Sequence, residues 1–281
     1  MLVREYPDAA SFAACAEPWL LRREAEHNLL LGLLPKLISG DHAFQQPIYL
    51  VSIDIDGEIA GCAFRTPPFK LGLTRMPRPA IELVAEHVAG VYAALPAVLG
   101  PEDEATRFAE LWGRRTGCPV RIGTRQRIHV LTRVTHPSRM PSGTLRLAGA
   151  ADAPLLVDWL GAFAAETASD VGDPHRRVEE LLHDRAVYLW TDGEPRSVAA
   201  ASARTPNGVR VGYVYTPPSH RSRGYATAAV AALSDQLLRA GRRSCFLYTD
   251  LANPTSNAIY ARIGYQPLCD VVDVLFSNAG E

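Results

Sequence analysis

The chain has 281 residues, 47% of them apolar, with 29 Lys and Arg against 30 Asp and Glu and a net charge of −1. That length supports one large domain or two ordinary ones, and near-neutrality supplies no bulk attraction to nucleic acid or to an anionic membrane. Cys15, Cys62, Cys118, Cys245 and Cys269 are scattered without a CxxC pair, which argues against a disulfide framework or a zinc site. Residues 1–8 lack a basic segment followed by an apolar core, so no signal peptide is expected. Apolar runs such as Leu29–Leu34 fall far short of the roughly 20 residues that span a bilayer. A cytoplasmic protein without metal, nucleic-acid or membrane partner is expected, as a monomer or homodimer.

In chain order, helical patterns occupy roughly residues 8–38. Ile48–Asp54 and Glu58–Arg65 flank the turn Ile55-Asp56-Gly57 and predict a hairpin; Leu71–Arg75 is a candidate third strand. Helices are predicted near 78–94 and 101–116, then a strand over Gln126–Thr135. His136–Gly143, with two prolines, a glycine and two serines, reads as a linker. Beyond it, Thr144–Ala148 alternates like a strand, Asp152–Phe163 has helical apolar spacing, and Val178–Leu182 continues a second helix. Ala186–Thr191 and Ser197–Arg204 flank Asp192-Gly193-Glu194, a turn between strands. A strand over Val209–Thr216 and a helix over Gly224–Ala240 follow, capped near Gly241. The strand Cys245–Thr249, a short helix Pro254–Ile263 ended by Gly264, and a last strand over Leu268–Phe276 complete the chain. The two halves echo each other in element order. The expected fold class is α/β (α+β): a mixed, mostly antiparallel sheet flanked by helices, in two tandem domains at 1–138 and 143–281.

The most informative stretch runs from the strand Val211–Tyr215 through Thr216–Arg223 into the helix at Gly224. The first amides of a helix have no intrahelical partner and point outward together, and the helix dipole adds partial positive charge. Such a junction binds anions, a pyrophosphate among them. Gly224 lets a bulky anion approach the backbone, Ala226 adds little obstruction, and Arg221 and Arg223 supply charge. An ordinary strand–loop–helix connection is the competing reading. A P-loop nucleotide site is the third, and it lacks its lysine and Ser/Thr.

Arg221-x-x-Gly224-x-Ala226 resembles the Q/R-x-x-G-x-G/A acyl-CoA motif of the GNAT superfamily of N-acyltransferases. Asn253–Tyr265 resembles that family's downstream N-x-x-(S/A)-x-x-x-Y-x-x-x-G-(F/Y) segment. The resemblance spans about residues 144–276 and is specific over 209–265. It implies that Arg221, Ser222, Arg223, Gly224, Tyr225, Ala226 and Thr227 hold the pyrophosphate of acetyl-CoA. It also implies that Val214, Tyr215 and Thr216 pair with the pantetheine arm, and that Asn253 contacts it. It makes Tyr260 the general acid near the cofactor sulfur, and it implies that the strands 209–216 and 245–249 splay apart. A backbone amide near Val214 is a candidate oxyanion donor. Asn253 before Pro254 also reads as an N-cap, and Tyr260 as packing.

Candidate bases are Glu166, Asp170, Glu194 and Asp250, with Glu166 preferred; His175 and His183 read as surface histidines, and Cys245 as a buried small residue. In the N-terminal half, Leu71–Ala80 carries no such motif, and Pro77 and Pro79 remove amide donors. That half is expected to keep the architecture without the cofactor site and to line a substrate cleft or stabilise the fold. The expected activity is N-acetyl transfer from acetyl-CoA to a small-molecule or peptide amine by direct attack in a ternary complex. A non-catalytic acyl-CoA sensor is the alternative.

Overall fold

The computed structural model describes residues 1–41, 44–167, 169 and 171–277. The first part of the chain forms β1 (Leu2–Glu5), α1 (Ala9–Leu20), α2 (Asn28–Ser39), β2 (Tyr49–Ile55), β3 (Glu58–Arg65), β4 (Leu71–Leu73), α3 (Arg78–Val91), β5 (Ala97–Pro101), α4 (Glu102–Thr116) and β6 (Val120–Leu131). The rest forms β7 (Thr144–Leu147), α5 (Ala153–Thr167), α6 (Pro174–His183), β8 (Val187–Asp192), β9 (Glu194–Arg204), β10 (Gly208–Tyr215), α7 (Tyr225–Arg239), β11 (Ser244–Asp250), α8 (Pro254–Ile263) and β12 (Gln266–Phe276). Among the described residues, no helix is long and apolar enough to cross a membrane.

The chain forms two compact units that are not contiguous in sequence. The first comprises Met1–Ile128, Thr249–Ala252 and Leu268–Glu281; the second comprises His129–Tyr248 and Asn253–Pro267. A division at residues 138 and 143 therefore leaves out the short segment 249–252 and the terminal strand, which belong with the first unit. Residues 129–138 belong with the second. The terminal strand's place follows from its side chains. Val272, Val274 and Phe276 are buried in the core built by Val51, Ile53, Val84, Phe108 and Trp112. Burying each Val or Phe of that kind is worth roughly 1.5–3 kcal/mol.

In the first unit, β1, β2, β3 and β4 are successive antiparallel neighbours, β4 runs parallel to β5, and β12 pairs antiparallel with β5. In the second unit, β7, β8, β9 and β10 are antiparallel neighbours and β11 runs parallel to β10. Two cores flank this second sheet. One packs α7 against Val209, Val211, Cys245 and Leu247 through Ala228, Ala229, Val230, Ala231 and Leu233. The other packs α5 and α6 against Leu189, Val198, Ala200 and Tyr215 through Leu156, Trp159, Leu160, Val178 and Leu181. Alternation along β10 assigns each of its side chains to one of these two faces.

The mixed, mostly antiparallel sheets flanked by helices match the expected class. β1 and β5 were not anticipated, and β6 begins at Val120 rather than Gln126.

Candidate active site

β10 and β11 pair over Gly208–Ser244, Val209–Cys245 and Arg210–Phe246, and no pair is formed beyond that point. On its other edge β10 shifts register against β9 between Gly212 and Tyr215. Tyr213 sits in that interval with φ +47°, a left-handed conformation that marks a bulge. Tertiary contacts hold it there. The Tyr213 hydroxyl donates to the Leu156 carbonyl at 2.8 Å, and its ring meets Phe163 edge-on at 5.5 Å. Beyond Arg210 the bulged end of β10 makes no pair with β11, the pattern that splayed strands would give. Val214 projects toward the α7 core and Tyr215 toward the α5 core.

The turn after β10 is braced from both ends. The Arg221 Nε donates to the Thr216 carbonyl at 2.9 Å. Thr216 Oγ1 and Ser197 Oγ lie 2.9 Å apart, and Ser197 Oγ donates to the Tyr215 carbonyl at 3.0 Å. Residues Pro218–His220 make a 3-10 turn. Ser222 (φ +61°) and Gly224 (φ +82°) are both left-handed, and no side chain caps the N-terminus of α7. Alternating conformations of this kind turn successive amides into a concave anion-binding nest. A Cβ added at Gly224 would meet only the Pro141 Cδ, at 3.8 Å. That side of the turn is therefore open, and glycine is required there by conformation rather than by crowding. Arg223 is exposed and has no hydrogen-bond or ion-pair partner among the described residues. The Tyr225 hydroxyl is taken by Asp192 at 3.2 Å. Ala226 and Thr227 form the first turn of α7. Open space, uncapped amides and an unengaged guanidinium suit a pyrophosphate.

Arg221 is paired with a carboxylate. Its guanidinium makes a two-pronged contact with Glu166 at 2.6 and 2.7 Å, both residues being partly solvent-exposed. Glu166, expected as the preferred base, thus has both carboxylate oxygens on Arg221. The chain places it at the anion-binding turn, and any role as base requires that pair to open. The other candidates fare similarly. Glu194 is paired with Arg196. Asp250 is exposed and accepts from the Ala252 amide at 2.8 Å. Asp170 lies outside the described residues. His175 and His183 are exposed, and Cys245 is buried with its thiol pushed up to about 12 by desolvation.

In the downstream motif, the Asn253 side chain caps α8 by accepting from the Ser256 amide at 3.1 Å, while its own exposure leaves it accessible. Tyr260 is half-buried on α8, with its ring edge-on to Tyr265 at 6.0 Å. Burial pushes its phenol up to about 12. The group is therefore fully protonated at neutral pH and available as a donor.

In the first unit, the segment that enters α3 is bonded within the protein. The Met76 amide just before α3 donates to the buried Glu104 carboxylate at 3.2 Å. Pro77 occupies the cap of α3, and Pro79 sits in its first turn.

Two residues at the splay were not anticipated: Arg210, at the last paired position, and Tyr248, whose ring lies 5.8 Å below the Arg210 guanidinium. The available signal was Arg210 itself, a charge inside the otherwise apolar strand Val209–Tyr215.

Three kinds of comparison bear on this geometry. A family model described as FR47-like protein matches residues 190–272, which span β9, β10, the turn, α7, β11 and α8. No curated protein matches the sequence. Among solved structures, a Drosophila protein superposes with TM-score 0.71 at 14% identity, covering 98% of each chain. A GNAT-family acetyltransferase from Colwellia psychrerythraea gives 0.58 at 10% identity, covering 99% of this chain and 100% of that one. A tandem GNAT protein from the clavulanic acid biosynthesis pathway gives 0.54 at 13% identity, covering 99% of both. The chain has the fold of a tandem-domain GNAT superfamily protein. The FR47-like segment, residues 190–272, includes the part of the second unit that carries β10, the open turn and α8.

Proposed function

We propose that this protein is an acyl-CoA-dependent N-acyltransferase, moving the acetyl group of acetyl-CoA to a small-molecule or peptide amine in a ternary complex. The observation that carries this reading is the open, uncapped turn at Ser222–Gly224 placed directly after the splayed end of β10. The pyrophosphate is held by the amides of 222–227 with Arg223, and by Arg221 once it exchanges Glu166 for phosphate. The pantetheine arm lies along Val214–Thr216, whose hydrogen-bonding edge toward β11 is vacated by the splay, and Asn253 contacts it from the start of α8.

With the thioester in the splay, the amine nitrogen attacks the carbonyl carbon and a C–N bond forms. The carbonyl oxygen gains negative charge, which an amide near Val214 stabilises. The C–S bond then breaks, and the departing sulfur takes the proton of the Tyr260 hydroxyl. The nitrogen gives up its surplus proton to water or to a carboxylate; Glu166 is the candidate once Arg221 has released it. The first unit, with Glu104 on the Met76 amide, binds no second acetyl-CoA. A screen of amines with acetyl-CoA, following release of free thiol, tests the reading. Thiol release that depends on amine supports it, and acetyl-CoA binding without release for any amine leaves only a binding protein.

A further inference from the structure

Arg210 sits where β10 and β11 last touch, opposite Ser202 on one side and Phe246 on the other. Its neighbours Val209 and Val211 point into the α7 core. Alternation therefore sends Arg210 to the opposite face of the sheet, the one covered by α5 and α6. Tyr248, one residue beyond Leu247 of the α7 core, shares that face, and the Arg210 guanidinium lies over its ring. Arg177 on α6 stands near enough for the two positive charges to repel. Arg177 has its own carboxylate, Glu180 at 3.0 Å. The partner of Arg210 is the Tyr248 hydroxyl, which its guanidinium hydrogen-bonds; no carboxylate faces it among the described residues, and desolvation lowers its pKa from the ordinary arginine value.

A guanidinium withdrawn from water beside a second cation and without an anion is costly to the fold. Packing does not require it, since the flanking strand positions are filled by valines. Its flat fork of donors suits an oxyanion. Arg210 is intermediate in exposure as a residue and stands at the last paired position before the strands part. In the acyltransferase reading, on which this step rests, the thioester lies where the two strands part, next to Arg210.

We propose that Arg210, assisted by Tyr248 and the nearby positive charge of Arg177, anchors an anionic group on the acceptor, so that the substrate is an amine that also carries a carboxylate or a phosphate. The anion neutralises the buried charge and holds the amine at the splay.

The test uses the full chain, acetyl-CoA and matched sets of primary amines: carboxylated, phosphorylated and neutral (amide or hydroxyl) counterparts of the same skeleton. Thiol release gives kcat/KM, and calorimetry gives acetyl-CoA affinity. One anionic set is expected to exceed its neutral counterparts at least about tenfold, and which set does so identifies the anion. Arg210→Gln is expected to remove that preference, lowering kcat/KM for the anionic amine about 100-fold, chiefly through KM. Its acetyl-CoA affinity and its rate on the neutral amine are expected to stay unchanged. Tyr248→Phe, which keeps the ring, is expected to weaken the preference severalfold and serves if Arg210→Gln does not fold. Equal rates for neutral and anionic amines, turnover confined to neutral amines, or a preference that survives both substitutions would each overturn the inference. Failure of acetyl-CoA to bind at all would instead remove the acyltransferase reading beneath it.

Discussion

Replacing Gly224 by alanine separates the two jobs assigned to that residue. Its φ of +82° lies in the left-handed region, where a Cβ costs about 1–2 kcal/mol. The added methyl meets nothing in the protein closer than the Pro141 Cδ at 3.8 Å, so no steric penalty adds to that cost. For a chain of this size, about 1 kcal/mol lowers Tm by roughly 2 °C. The same methyl projects into the open side of the turn and lifts a bound pyrophosphate off the amides. Losing even one charge-assisted hydrogen bond costs roughly 1.5–3 kcal/mol, or a 10- to 150-fold weaker Kd. Gly241, at the other end of α7, supplies the control: its φ is +94° and an added Cβ meets nothing within 4 Å. Gly241→Ala is expected to lose as much Tm as Gly224→Ala but no affinity for acetyl-CoA. Calorimetric titration of both variants, alongside thermal melts, makes the comparison. Equal acetyl-CoA affinity in the two variants would refute the assignment of this turn to the pyrophosphate.

Further expectations follow from the same geometry. Tyr260→Phe should keep the fold and acetyl-CoA binding while lowering kcat about 100-fold or more, read by thiol release; an unchanged kcat would take the proton-donor role away from Tyr260. Because burial holds the Tyr260 phenol at about 12, kcat should show no descending limb near pH 10, where an ordinary phenol is half ionised, and should fall only as pH approaches 12; a loss of rate centred near 10 would contradict the donor's environment. Glu166→Gln breaks an exposed ion pair worth at most about 1 kcal/mol, so Tm should hardly move, while acetyl-CoA should bind up to about fivefold tighter because Arg221 no longer has to be released; weaker binding would refute this competition. A simultaneous large fall in kcat in the same variant would identify Glu166 as the base. Asn253→Ala removes the α8 cap, at about 1 kcal/mol and roughly 2 °C of Tm, and weakens acetyl-CoA binding if the side chain also reaches the pantetheine arm.

Local physics made most of the second unit legible. Apolar alternation, the Asp192-Gly193-Glu194 turn and the glycines after α7 and α8 (Gly241 and Gly264) placed β7–β12 and α5–α8 within a few residues. β1 escaped because its side chains are largely exposed and carry no alternation against a core. β5 escaped because five residues that follow Pro96 and end on Pro101 give no period to read. The first residues of β6 are exposed, so the strand became visible in sequence only from Gln126. Nothing local in Leu268–Phe276 says which unit it joins; only its burial among Val51, Phe108 and Trp112 decides that. The site divides the same way. The turn and Asn253–Tyr260 are contiguous motifs and could be found. The Arg221–Glu166 pair links residues 55 positions apart, and Arg210 acquires its meaning only from the point where β10 and β11 part. The bonding of the segment that enters α3 was half visible, through Pro77 and Pro79, while the Glu104 carboxylate on the Met76 amide was not.

One unit only is expected to carry a working acyl-CoA turn. Calorimetric titration of the full chain with acetyl-CoA measures this directly: the expected result is binding with one site per chain, abolished or greatly weakened by Gly224→Ala. No binding, two sites per chain, or full binding by the Gly224→Ala variant would contradict it.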